Sequence, residues 1–180
     1  MIPKYKINSL FNSVSYHFNG CVIDPGDRYE GFNNISVVLL THAHFDHIYG
    51  LNDVLRLSPN ALVYTNEYGR EMLLSPKKNL SYYHETPFVF KHPDHIRTVE
   101  NGQFINIDNG LVAKSIFTPG HNPSCITWVI DDMLFSGDSL IPGIKTVANL
   151  PYGQKECSKN SENLIMQLAI NRTIYPGHKI

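Results

Sequence analysis

Thr41-His42-Ala43-His44-Phe45-Asp46-His47 is the stretch on which the reading of this chain turns. It follows Ile35–Leu40, a nearly unbroken β-branched and apolar run that predicts a strand buried on both faces. His42 and His44 stand two apart on the extended segment leaving that strand, so their imidazoles point to one side, close enough to share an ion. Asp46 and His47 follow where the chain turns toward a helix, and adjacent residues in a turn project to a different point. A second ion beside the first would use them.

Three later clusters repeat the pattern of a strand, a small-residue turn and a metal-ligand type: Thr118-Pro119-Gly120-His121, Ser136-Gly137-Asp138-Ser139 and Tyr175-Pro176-Gly177-His178. Glycine beside a ligand lets the backbone turn sharply and approach an ion closely, as a site built from converging loops requires. Any one of these clusters is commonplace; four in one chain point to a metal centre.

In this order the motifs resemble those of the metallo-β-lactamase superfamily, and within it the glyoxalase II-like hydrolases, which carry T-H-x-H-x-D-H-x-x-G, G-H, G-D-[ST] and P-G-H. The resemblance runs from Asp24-Pro25-Gly26 through Gly50 to His178. It implies an α/β fold, the four-layer αββα sandwich of that superfamily. It also implies that His42, His44 and His121 hold a first metal, that Asp46, His47 and His178 hold a second, and that Asp138 bridges the two. All seven donors are nitrogen or carboxylate oxygen, a set that suits two divalent ions, Zn²⁺ foremost, and also accepts iron or manganese. Two such cations lower the pKa of a bridging water from 15.7 to roughly 7 and polarise a carbonyl, so the expected activity is hydrolysis. Asp46 is the expected catalytic residue, one oxygen on a metal and the other orienting the attacking hydroxide.

The resemblance implies a thioester, hydroxyacylglutathione-like, or a related ester or lactone as substrate. Full-length glyoxalase II continues into a helical domain that supplies much of the glutathione contact, whereas these 180 residues end two positions after His178. The alternative from another class is a mononuclear iron persulfide dioxygenase, whose relatives share the first motifs; retention of His178 favours two metals. A β-lactamase, a ribonuclease Z-like nuclease and a non-catalytic metal-binding module rank lower.

Bulk composition narrows the partners. With 180 residues, 42% hydrophobic, one domain over 1–180 is expected. The formal net charge of -1 offers no basic field for nucleic acid or an anionic membrane surface, so a small-molecule substrate is the expected partner. Met1–Lys6 is not followed by an apolar signal core and no later stretch is long enough to span a bilayer, which predicts a cytoplasmic protein. Cys21, Cys125 and Cys157 are odd in number and widely spaced, the pattern of small free thiols.

Around the site, Val14–Phe18 and Cys21–Asp24 predict a hairpin about Asn19-Gly20. Helical spacing over Ile48–Leu57 is followed by a strand at Ala61–Thr65 and a helix at Glu67–Leu74. Ser75–Asp94, rich in proline and aromatics, is expected to be a partly ordered insertion over the site, with a strand at Phe88–Phe90; its Asn79-Leu80-Ser81 resembles a segment of glyoxalase II-like proteins. His84, His92, His95, Tyr82 and Tyr83 of this insertion are candidates to touch substrate or simply to cover the core. Strands are expected at Ile96–Val99, Gln103–Ile107, Val112–Phe117, Ile126–Ile130 and Met133–Phe135, with turns that include Asn101-Gly102 and Asn109-Gly110. A helix at about Ser161–Ile170 and a strand at Thr173–Tyr175 complete the reading. Asp24-Pro25-Gly26 reads equally as an ordinary turn and as a hydrogen-bond acceptor behind the metal ligands.

Overall fold

The computed structural model describes residues 2–28, 34–108 and 110–179. A first sheet has six strands in chain order: β1 Lys4–Ile7, β2 Val14–Phe18, β3 Cys21–Ile23, β4 Val37–Leu39, β5 Leu62–Thr65 and β6 Ile96–Thr98. β1, β2 and β3 are antiparallel, and β3 to β6 run parallel. A second sheet, ordered β11-β10-β9-β8-β7, holds β7 Phe104–Asn106, β8 Val112–Phe117, β9 Ile126–Ile130, β10 Met133–Gly137 and β11 Thr173–Pro176. Only its β10–β11 pair is parallel.

Asn19 and Gly20 both take positive φ, 44° and 68°, the conformation of the tight turn that joins two antiparallel strands without splaying them. The expected hairpin is therefore present as β2 and β3. Helices α1 Phe45–Ile48, α2 Leu51–Leu57 and α3 Glu67–Leu73 follow β4 and β5. Val54, Leu55, Met72 and Leu73 pack with Val22, Val38 and Val63 to cover one face of the first sheet. The opposite face, through Tyr16, Phe18, Ile23 and Leu39, packs on Trp128, Ile130, Met133 and Phe135 of the second sheet. α4 Lys155–Leu168, with Ile165 fully buried, supplies the fourth layer. The αββα sandwich expected from the resemblance is the fold.

Period-2 alternation within β4 explains this layering: Val38 joins the helix-facing core while Val37 and Leu39 join the intersheet core. Trp128, fully buried between the sheets, donates from Nε1 to the Leu40 carbonyl at 2.9 Å and so fixes the strand that carries the histidines. Cys21 and Cys125 are buried and Cys157 is half-buried, all free; burial pushes the Cys125 thiol up to about 12, which keeps it protonated.

Four local expectations differ from the structure. The helical run begins at Phe45, not Ile48, and breaks at Tyr49-Gly50, because the metal-ligand turn itself coils. α4 starts at Lys155, six residues before the expected Ser161, its polar first turn giving no apolar periodicity. β1 went unpredicted: its Lys-Tyr-Lys-Ile sequence is an exposed edge strand, with burial too slight to leave a pattern. Phe88–Phe90 is not a strand, and the 75–94 segment carries no regular element beyond the 3-10 turns Ser81–Tyr83 and Pro93–His95. Asn79, fully buried, donates from Nδ2 to the carbonyls of Met72 and Phe88 at 3.0 and 3.1 Å and accepts from Ser81 N–H at 3.0 Å. Phe88 and Phe90 are buried by that framework rather than by a ladder. Of the expected Asn109-Gly110 turn, Asn109 lies outside the described residues. Among the described residues no helix is long and apolar enough to cross a membrane.

Trp128→Phe keeps most of the buried ring but leaves the Leu40 carbonyl without this donor. Its cost is about 1–3 kcal/mol, read as a lower urea midpoint with an unchanged slope.

Candidate metal centre

Every sequence-predicted ligand emerges from the C-terminal end of a strand: His42 to His47 after β4, His121 after β8, Asp138 after β10 and His178 after β11. The two sheets bring these ends to one edge of the sandwich. His42, His44 and His121 form one group and Asp46, His47 and His178 another, each with its ligand-type atoms within 4.8 Å of one another. His121 Nε2 lies 2.9 Å from His44 Nδ1, and His47 Nε2 lies 3.2 Å from His178 Nε2. Asp138 reaches both groups: one oxygen is 3.5 Å from His47 Nε2, the other 3.5 Å from His121 Nε2 and 3.2 Å from His178 Nε2. Asp46 Oδ2 stands 3.5 and 3.4 Å from His47 Nε2 and His178 Nε2.

Outer hydrogen bonds fix which nitrogen faces the centre. His121 Nδ1 donates to the Val147 carbonyl at 2.6 Å, His178 Nδ1 to the Phe11 carbonyl at 2.8 Å and His47 Nδ1 to Asp24 Oδ2 at 3.1 Å. With Nδ1 carrying the proton, the Nε2 lone pair of a neutral ring is left for a cation. Asp24, of the two readings the sequence allowed, takes the one behind the ligands: it also accepts from the Thr41 N–H at 2.7 Å and from the Thr41 hydroxyl. Asn122 was not foreseen. Its side-chain amide lies 3.1 Å from His44 Nε2, and its Oδ1 accepts from Ser124 N–H and Oγ at 2.8 and 2.7 Å.

The electrostatics fit cations. Burial, reinforced by the neighbouring imidazoles, holds His42 and His44 well below the usual histidine range, so both are neutral donors. Burial opposes protonation of His47 too, but the carboxylates of Asp46, Asp138 and Asp24 push it up to about 10. His178 is likewise raised against burial by Asp138. Burial raises Asp46, whereas the surrounding imidazoles overcome burial and hold Asp138 far below the carboxylate range. His42 Nε2 and Asp138 Oδ1 are buried with no hydrogen-bond partner, a pair of orphaned acceptors at the heart of the cluster. Metal ions would satisfy both.

A groove of about 820 Å³ opens over these groups, with His44, Asp46, His121, Asp138 and His178 at its floor. Tyr83 and His84 of the 75–94 segment reach it; Tyr82 does not line it, His92 packs on Phe90 and His95 bonds the Ala61 carbonyl. The opposite wall, Ile141 to Pro151, was missed at the sequence level. Its signal was apolar residues set without period in a Pro- and Gly-containing stretch.

A sequence model of the metallo-beta-lactamase superfamily matches residues 17–178. This chain belongs to that superfamily. A hydroxyacylglutathione hydrolase of Xylella fastidiosa is 27% identical over 145 residues, covering 77% of this chain and 48% of its own length. A probable metallo-hydrolase of Bacillus subtilis is 30% identical over 169 residues, covering 87% and 78%. Among solved structures, the BLEG-1 B3 metallo-beta-lactamase superposes with a TM-score of 0.83 at 25% identity, over 99% of this chain and 92% of that one. The chain spans about half the length of the hydroxyacylglutathione hydrolases it matches. For this superfamily member, five of the seven ligand positions that its motifs imply line the groove floor, and the other two, His42 and His47, lie fully buried beside them.

Two expectations follow from this geometry. A Cβ on Gly177 would sit 2.2 Å from Asp138 Oδ1, 2.9 Å from the Gly137 carbonyl carbon and 3.0 Å from His47 Cε1, so Gly177→Ala displaces both side chains and presses only on the last residue of β10. Metal content after dialysis drops, with an unchanged far-ultraviolet dichroism spectrum. Because His47 is held protonated up to about pH 10, metal loading at pH 7.5 expels its proton. Titration calorimetry in buffers of different ionisation enthalpy then records proton release, and metal affinity falls as the pH is lowered.

Proposed function

We propose that the protein is a metal-dependent hydrolase of the glyoxalase II-like kind, cleaving a thioester or a closely related ester. The observation that carries this reading is the meeting of two ligand groups on Asp138 at the floor of an open groove. His42, His44 and His121 would hold one divalent cation, Asp46, His47 and His178 a second, with Asp138 shared. Zinc is the first choice for this all-nitrogen-and-oxygen donor set, and iron or manganese also suits it. Bound there, two cations make water a nucleophile at neutral pH and polarise the carbonyl it attacks.

The chain's own residues supply the rest. Asp46 is turned by the start of α1 so that one oxygen faces His47 and His178, and its carboxyl lines the groove. We assign its other oxygen to orienting the attacking water toward the acyl carbon. Asp24, Val147 and Phe11 hold His47, His121 and His178 in one tautomer, so no reorganisation is needed when substrate arrives. The hydroxyacylglutathione hydrolases among the relatives favour a thioester over other carbonyl substrates.

Protein loaded with zinc is expected to hydrolyse S-lactoylglutathione, followed by loss of thioester absorbance. His121→Ala and Asp138→Ala each lower kcat/KM roughly a hundredfold or more. Two metals per chain with no turnover of any thioester, ester or lactone would sink the reading. One iron per chain with oxygen uptake on a persulfide would replace it by the dioxygenase.

A further inference from the structure

The groove is built for an apolar occupant. It is lined by Phe11 and Phe45, whose rings meet edge to face, by Leu80, and by Ile141, Ile144 and Val147. Phe11 is 68% exposed, Ile144 43% and Val147 46%, so apolar side chains beside the candidate centre leave much of their surface open to solvent. Apart from the ligand-type residues and His84, the one ionisable cation among its described lining residues is Lys179. A glutathione moiety carries two carboxylates and an ammonium group, and within the groove itself a single lysine faces that charge, Lys145, Lys155 and Lys159 lining a separate pocket that shares Val147 with it.

The apolar walls are held in advance of binding. Val147 is fixed through its carbonyl to His121 Nδ1, and Thr146 Oγ1 donates to the Ser139 carbonyl at 3.1 Å, so the 141–151 wall is tied to the metal-ligand loops. Ile141 and Ile144 are joined by a β-bridge. Leu80 adopts φ 68°, a left-handed conformation that a leucine rarely takes, and the Asn79 hydrogen bonds on either side impose it. Strain of this kind persists where surrounding structure over-determines it, often at a ligand clamp, and here its outcome is an apolar side chain in the groove.

Building on the hydrolytic reading above, we propose that the substrate is selected by an apolar acyl chain of intermediate length. The chain lies along Ile141, Ile144 and Val147, its carbonyl stands over Asp46 and Asp138, and its thiol or alcohol portion leaves toward Lys179. On cleavage the acyl carbon–sulfur bond breaks, the water oxygen bonds to the acyl carbon, and the sulfur takes a proton, giving a carboxylate, a free thiol and one released proton. The groove binds the carboxylate product by the same wall.

The test uses metal-loaded protein and acetyl, butyryl, hexanoyl and octanoyl thioesters of N-acetylcysteamine, whose thiol is uncharged. From acetyl to octanoyl kcat/KM is expected to rise about tenfold or more, since each buried methylene adds to binding. Ile144→Asp flattens that series. Independently of turnover, calorimetry is expected to show octanoate binding about tenfold tighter than acetate, with a negative heat-capacity change. Turnover that is flat with chain length, or best for S-lactoylglutathione, overturns the acyl-chain assignment and leaves the hydrolase standing. No turnover with octanoate still preferred overturns the hydrolase and keeps the apolar groove. No turnover and no preference overturns both.

Discussion

The carboxylate of Asp24 is the tie that sets the rest of the centre. It sits where β3 ends, accepts from the Thr41 N–H and hydroxyl just past the neighbouring parallel strand β4, and receives His47 Nδ1 from the turn beyond. One buried anion thus fixes the start of the ligand run and the tautomer of its last imidazole. Without that acceptor, His47 would be a buried ring nitrogen with no partner, which is costly. The position and ring orientation of His47 then fix where Asp138 and His178 must arrive. The two sheets, with Trp128 bridging to Leu40, hold the four ligand-bearing strand ends, and the end of β3 that carries Asp24, to that requirement.

What could be read from the sequence divides along physical lines. Strands buried on both faces, such as the one before Thr41, and turns requiring positive φ, such as Asn19-Gly20, leave local patterns that need no partner to interpret. The seven candidate ligand positions were legible because the ordered motifs, through their family resemblance, specify them jointly, and the structure gathers those positions in one place. What stayed hidden was whatever depends on a distant partner. Asn122 acquires meaning only through His44, and the Val147 carbonyl only through His121, seventy-eight and twenty-six positions away respectively. The expected strand at Phe88–Phe90 failed for the same reason. Phe88 is held instead by the buried amide of Asn79, and a single asparagine has no periodicity to detect.

The groove shows how one centre sets two kinds of demand on its surroundings. Beneath the ligands lie hydrogen-bond acceptors that hold imidazoles in place: Asp24, the Val147 carbonyl and the Phe11 carbonyl. Above them the walls are apolar. Val147 serves both, its carbonyl facing a ligand and its side chain facing the groove. A low-polarity environment above a charged floor strengthens every electrostatic interaction there, so wall and floor are coupled through the medium as well as through the chain.

The last imidazole comes with a folding requirement. His178 bonds the Phe11 carbonyl, Gly177 accepts from Val14 N–H at 2.7 Å, Lys179 donates to the Asn12 carbonyl at 3.1 Å, and the Tyr16 hydroxyl donates to the Pro176 carbonyl at 2.7 Å. These contacts join residues more than 150 positions apart, and closing so long a loop is slow and entropically expensive. The second group of ligands therefore assembles only when residues 11–16 have clasped residues 176–179. Capture of a cation there would report finished topology: both groups span the two sheets, since His121 follows β8, but only the second also needs residues 11–16 joined to residues 176–179.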